Sequence, residues 1–405
     1  MSPPERQAIE EADLVGFKYF QKISHLLARF HDAGCARDRA GNRLLHLDQY
    51  LALLLLFLFN PICQSLRGLQ QASELKKVQR VLGVPRASLG SLSEAAGVFD
   101  PALLEGLLGE LVADLKPLAH DARLDEVRGL LTLVDGTYLT ALPVVARWAL
   151  WQEGKRGKRA AKAHVQFEVL KGVPVAATIT DAHASEIEVL RRRLQAGRLY
   201  VLDRGYAEYA LFQTILDAGS SFVARVDDNA VIEVLEERLL STEALAAGVV
   251  RDAVVRLGSP KKREDLRQGV RLVEVACTPH RRPSGKNGRG GPEQGTVLRI
   301  VTDVRDLGPE VIGLIYQARW QIEIFFRMFK HLLGCRHLVS YCEDGIRFQT
   351  YAAILACLLI ALWTGRRPTI RTYEMLAYYF TGWADEEELQ AHIDKLQTQA
   401  RTPQA

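Results

Sequence analysis

Apolar residues recur at three- and four-residue spacing over Phe17–Phe30, Leu45–Phe59, Leu66–Leu75 and Pro101–Leu118, which predicts short helices up to about residue 128. Ser91-Leu92-Ser93-Glu94 and Asp100-Pro101 predict helix starts, a capping side chain followed by Glu or Pro. From Leu130 the pattern changes to strands. LTLVD and TYLTAL predict two strands about a tight turn at Gly136. HVQFEVL (His164–Leu170) and VPVAATITD (Val173–Asp181) predict a hairpin about Lys171-Gly172. A helix over Ser185–Gln195 follows, with Ser185 as cap and Glu188 at the third helical position. RLYVLD is then a strand, Ala207–Ala218 a helix and SFVARV a strand. VVRDAVVRLG and LRQGVRLVEVACTP read as paired strands before the Gly-, Pro- and Arg-rich loop TPHRRPSGKNGRGGPEQG. TVLRIVTDV is the next strand. Pro309 marks a helix start leading into IYQARWQIEIFFRMFKHLLG (Ile315–Gly334), which lacks internal Gly and Pro and is expected as one helix. Ile346–Trp363, Thr372–Tyr379 and Glu386–Leu396 are further helices, and RTPQA a frayed end.

The length, 405 residues, suggests two or three structural units. The net charge of +4 neither demands nor excludes a nucleic-acid partner. Six cysteines without a Cys-x2-Cys pair favour reduced thiols over a disulfide framework. His331, Cys335, His337 and Cys342 match no common zinc spacing. The N-terminal MSPPERQAIEEADL is polar and acidic, unlike a signal peptide. The apolar runs Leu51–Phe59 and Tyr351–Trp363 fall short of the ~20 residues that span a bilayer. These features favour a cytoplasmic protein with no membrane partner.

Tyr316, Arg319, Glu323 and Lys330 carry the candidate chemistry. At about 100° per residue they fall within about 60° on one helix surface, a carboxylate flanked by cations and a phenol. Ile322, Ile324, Phe325, Phe326, Met328 and Phe329 crowd around them. A surface salt-bridge ladder would give the same spacing. Two more carboxylates, Asp135 and Asp203, end short apolar runs, Leu130–Val134 and Leu199–Leu202. Either alone also fits a turn. Together with Glu323 they supply three hard oxygen ligands from separate elements, able to hold two Mg²⁺ ions about 4 Å apart. The basic run Lys155, Arg156, Lys158, Arg159 and Lys162 beside this site suits DNA phosphates, as does Arg204. Arg281, Arg282, Lys286 and Arg289 in the long loop fit phosphate contact and plain solubility equally. VQRVLGVPRASLGSLSEAAG fits a helix-turn-helix or a plain helical bundle.

These motifs resemble the DDE transposases of bacterial insertion sequences, in the group of family 4 type marked by Tyr-x2-Arg-x3-Glu-x6-Lys. That signature stands here as Tyr316, Arg319, Glu323 and Lys330. Asp135-Gly136-Thr137 and Asp203-Arg204-Gly205-Tyr206 match the contexts of the family's two aspartates. The resemblance runs from about Leu130 to Gly334. It implies an α/β chain with a ribonuclease-H-like core at 129–345, carrying a β-strand insertion at about 227–295. Helical regions at 1–128 (a possible DNA-binding domain) and 346–405 would flank it. It further implies that Asp135, Asp203 and Glu323 hold two Mg²⁺ ions, with Mn²⁺ able to substitute. Cleavage of double-stranded DNA at terminal inverted repeats and strand transfer into target DNA would follow, in a homodimer on DNA. The alternatives are a catalytically silent transposase-derived DNA-binding protein and a ribonuclease-H-type structure-selective endonuclease.

Overall fold

The computed structural model describes residues 27–33, 37–38, 41, 43–60, 62–63, 65–113, 115–118, 120–142, 159–259, 265–276, 297–334, 339–340, 342–367 and 369–401. Most of Phe17–Phe30, the Lys155–Lys158 stretch, the loop at 277–296, Cys335 and His337 therefore lie outside the described residues.

Among the described residues, a one-turn helix at Phe30–Ala33 and five longer helices precede the sheet: α1 Leu47–Phe59, α2 Leu66–Glu74, α3 Lys76–Leu82, α4 Leu89–Val98 and α5 Ala102–Ala113. The cap of α4 is Ser88, whose hydroxyl accepts from Ser91 N–H at 3.0 Å, three residues before the expected start. Six residues, Gly83 to Ser88, separate α3 from α4, longer than the 3–4-residue turn typical of a helix-turn-helix.

Among the described residues, nine strands form one sheet in the order β3-β2-β1-β4-β5-β9-β8-β7-β6. β1 (Leu130–Leu142), β2 (Arg159–Glu168) and β3 (Val173–Asp181) are an antiparallel meander. The chain then makes α6 (Glu186–Arg192), β4 (Arg198–Leu202), α7 (Tyr209–Asp217) and β5 (Ser221–Arg225), with β4 parallel to both β1 and β5. This is the ribonuclease-H-like arrangement. Gly136 makes no turn: its Cα pairs with His164 inside the continuous β1, so the two expected strands are one. The turn after β2 does fall at Lys171-Gly172, with Gly172 at φ 67°, a value glycine adopts freely. Ser185 caps α6 as expected.

The insertion extends the core sheet. β6 (Ile232–Glu237), a short α8 (Thr242–Ala246), β7 (Val249–Leu257) and β8 (Val270–Ala276) lead to β9 (Val297–Thr302), which pairs with β5 and β8. Arg271, 1% exposed, locks this extension through Asp252 at 2.8 Å from both Nε and Nη2.

Side-chain alternation divides the sheet between two cores. Leu131, Leu133, Leu199, Val201 and Val223 face one core, shared with α1, α5 and the helices after β9. Val134, Tyr200, Leu202, Phe222 and Ala224 face the other, under α6 and α7. Residues buried on both faces explain why these strands read as unbroken apolar runs.

After β9 come α9 (Pro309–Gln317), α10 (Trp320–Gly334), α11 (Glu343–Thr364), α12 (Ile370–Phe380) and α13 (Glu386–Arg401). The single helix expected over Ile315–Gly334 is broken at Ala318–Arg319. There Arg319 N–H bonds Tyr316 O at 3.1 Å and Gln321 N–H bonds Ala318 O at 2.9 Å, both tighter i→i+3 links. No Gly or Pro marks the break. α11 is long and apolar enough to cross a bilayer, with mean hydropathy 1.7, but 89% of that window is buried inside the protein. It packs against α1, α4, α5, α10 and β3, the setting of a core helix.

Candidate active site

The parallel register of β1 and β4 runs Leu131↔Leu199, Thr132↔Tyr200, Leu133↔Val201. Two residues further along stand Asp135, still within β1, and Asp203, just past the end of β4. Strand alternation gives them the parity of Leu133 and Val201, on the face covered by α10. α10 packs on β1, and Phe325 meets Phe167 of β2 at 5.7 Å between ring centroids. Phe167 pairs with Leu133 in turn. Burial of Ile322, Phe325, Phe326 and Phe329 thus seats α10, and Glu323 rides on its half-buried side. Ile324, expected among the crowding residues, is 44% exposed.

Each aspartate is oriented by a glycine. Gly136 N–H donates to Asp135 Oδ1 at 2.7 Å and Gly205 N–H to Asp203 Oδ1 at 2.8 Å. Asp203 therefore also serves as the turn-capping residue of the plainer reading. Burial pushes the Asp135 carboxyl up to about 7, helped by repulsion from Asp203 and Glu186, while the Gly136 hydrogen bond and Arg319 pull it down. Arg319 bonds Glu323 at 2.8 Å and is held charged, against its burial, by Tyr316, Glu323 and Asp135. Its guanidinium lies 6.0 Å from the Tyr316 ring centroid and 5.8 Å from that of Trp320. Burial raises the Tyr316 phenol, opposed by Arg319 and Arg225. The broken helix still brings Tyr316, Arg319 and Glu323 together. Lys330 is exposed about two turns beyond Glu323 on α10.

The other expected phosphate contacts divide. Arg204 is exposed, with Asp227 at 3.4 Å. Arg159 opens β2. Lys162 departs from expectation: the basic run enters β2 rather than staying a loop, and strand parity turns Lys162 inward. It is 6% exposed, paired with Glu186 and set 5.0 Å above the Tyr138 ring. Lys155, Arg156 and Lys158 lie outside the described residues.

Sequence reasoning missed Glu186. An added Cβ at Gly136 would come 2.7 Å from Glu186 Oε1, so a residue without a side chain admits this carboxylate beside Asp135. The buried Tyr206 hydroxyl faces the same group: burial raises it most, then the charges of Glu186, Asp135 and Asp203. A hydrogen bond with Glu186 adds to the rise, whereas Arg319 Nε has no hydrogen-bond partner among the described residues.

The donor set suits a hard divalent cation, since it offers only carboxylate oxygens and concentrates negative charge where burial penalises it. The oxygens of Asp135, Asp203 and Glu323 do not all lie within 4.8 Å of one another; Glu323 is turned to Arg319. A set within that limit is His31, Asp32 and His46. There the imidazoles stack at 3.6 Å and 10°, so one ion cannot lie in both ring planes, as in-plane lone pairs require.

The chain is 27% identical over 239 residues to a putative transposase, y4zB, of Sinorhizobium fredii, covering 58% of this chain and 62% of that one. It is 25% identical over 280 residues to the probable transposase for insertion sequence element IS5377 of Geobacillus stearothermophilus, covering 69% and 68%. A solved piggyBac transposase synaptic complex with hairpin DNA overlaps 97% of this chain and 86% of that one, with TM-score 0.42 and 10% identity. The Transposase DDE domain family matches residues 126–359, which run from just before β1 through most of α11 and span every element of the site. The chain belongs to that family.

Proposed function

We propose that this chain is a DNA transposase that cleaves insertion-sequence ends and transfers the freed strand into target DNA. The observation that supports the reading is that Asp135 and Asp203 each follow by two residues the last β1/β4 pair, Leu133↔Val201, and that the Asp203 charge acts on the Asp135 carboxyl. Asp135, Asp203 and Glu323 would hold two Mg²⁺ ions, which supply an activated water or 3′-hydroxyl and charge stabilisation at the leaving oxygen. The protein's own residues do the rest. Gly136 and Gly205 N–H groups aim the two aspartates. Glu323, paired with Arg319, would be free to hold a cation if that pair opened, and the guanidinium would then be free to take a phosphate in bidentate contact. Tyr316 backs Arg319 from the core. Lys330 and Arg204 face solvent, where they can neutralise phosphates; the basic residues Lys155, Arg156, Lys158 and Arg159 would add further phosphate contacts. Lys162 stays with Glu186. The helices before β1 would bind the terminal repeats, and two copies would pair two element ends.

The reading is tested with purified chain and end-containing duplexes in Mg²⁺. The wild type nicks at the element boundary and joins the end to a target, and Asp135→Asn does neither while still shifting the duplex in a gel. Nicking without joining would favour the structure-selective endonuclease. Binding without nicking by the wild type would favour a silent transposase derivative.

A further inference from the structure

We propose that Glu186 is a positioning residue for Asp135, an inference that rests on the divalent-cation reading above. The two residues approach β1 from opposite faces of the sheet. Asp135 shares the parity of Leu133, toward α10; Gly136 shares that of Val134, toward α6. Glu186, the first residue of α6, places its carboxylate against Gly136, where a Cβ would fall 2.7 Å from Oε1 and 3.0 Å from Lys162 Cε. Three elements hold it there. Lys162 of β2 pairs with it, buried and lying over the Tyr138 ring. Ser185 caps the helix that carries it, accepting from Glu188 N–H at 3.4 Å. The Tyr206 side chain, 1% exposed, ends beside the same group, and beyond burial both the charge of Glu186 and a hydrogen bond with it raise the Tyr206 phenol.

A carboxylate so braced fixes the peptide between Asp135 and Gly136. That peptide's N–H donates to Asp135 Oδ1 at 2.7 Å, so the brace sets the direction in which the other oxygen, Oδ2, is presented. The Lys162–Glu186 pair is neutral as a unit. Glu186 still repels the Asp135 carboxyl, but the effect proposed here is the placement of the Asp135–Gly136 peptide, which is separate from that charge. This is the role of groups that orient a ligand without touching the ion.

The test is calorimetric titration of Mn²⁺ into the full chain, read beside the melting temperature. Glu186→Gln leaves Lys162 buried without its partner and can fail to fold, so the deciding variant is Lys162→Met/Glu186→Gln, which removes both charges. Gly136→Ala, which keeps both residues but pushes the carboxylate away, is its companion. We expect each to bind Mn²⁺ roughly 10- to 100-fold more weakly with a cooperative melt retained. A folded double variant that binds Mn²⁺ like the wild type overturns the inference. Asp135→Asn separates the two levels: if it also binds like the wild type, the cation reading itself fails and this inference falls with it. If it loses binding while the double variant does not, only the positioning role is lost.

Discussion

Arg319 and Glu323 are joined by a 2.8 Å ion pair across the start of α10, so the glutamate expected to meet a cation already has one beside it. Arg319 also faces Asp135. If Glu323 holds a divalent ion as proposed, this guanidinium would have to give way to it. Arg319→Ala is therefore expected to bind Mn²⁺ at least as tightly as the wild type. Nicking should still fall about 10²- to 10³-fold, the usual cost of losing one transition-state donor. Calorimetry and a nicking assay on the same preparation check the split. Weaker Mn²⁺ binding in the variant would remove Arg319 from the role of competitor.

Asp135 carries a stability cost that its neutral mimic should relieve. Its carboxyl is pushed up to about 7 by burial and by Asp203 and Glu186, against an ordinary value near 4. The folded chain thus holds a proton that the unfolded chain releases, and folding loses stability as pH rises from about 4 to about 7. Above that the cost is constant. In metal-free buffer at pH 8, Asp135→Asn is expected to be more stable than the wild type by on the order of 3 kcal/mol. Urea midpoints at pH 8 and pH 4 measure it: the gain should be largest at pH 8 and shrink toward pH 4.

The two aspartates were legible because strands buried on both faces read as unbroken apolar runs, and each run stops on Asp, although β1 itself continues past Asp135 to Leu142. Leu133 and Val201 lie in one core, Val134 and Leu202 in the other. Glu186 was not legible, since its place depends on Gly136 lacking a side chain on the far face, a relation with no spacing in sequence. The break at Ala318–Arg319 was equally silent. Helix-compatible residues occupy it, and the contacts of Arg319 with Tyr316, Trp320 and Glu323 outweigh local propensity. β6 escaped detection because Glu233, Glu236 and Glu237 interrupt its apolar pattern on an open sheet edge.

His164 gives the fold a second pH dependence, of opposite sign. Burial lowers its imidazole to about 4, with Lys162 adding to the effect. Its Nε2 lies 2.8 Å from the Thr180 hydroxyl. The folded state keeps the ring neutral while the unfolded chain protonates it near 6.5. Stability from this group is complete above pH 6.5 and is lost as pH falls toward 4, by on the order of 3 kcal/mol. His164→Gln should flatten the fall of urea midpoint between pH 6.5 and pH 4 relative to the wild type. An unchanged slope would mean that the ring is protonated in the fold.

Lys330 offers the cleanest separation of DNA contact from folding. It lies seven residues after Glu323 on α10, about two turns along the same face, and is exposed. An exposed lysine there adds little to the core, so Lys330→Ala should leave the melting temperature unchanged. If its ammonium meets a phosphate of the element end, binding weakens at every salt concentration. The slope of log affinity against log salt should then become shallower by about 0.9, the release of one counterion. Fluorescence anisotropy with an end duplex across a salt series measures both quantities. A weaker affinity with the slope retained would move Lys330 from phosphate contact to an indirect role in shaping the surface around Glu323.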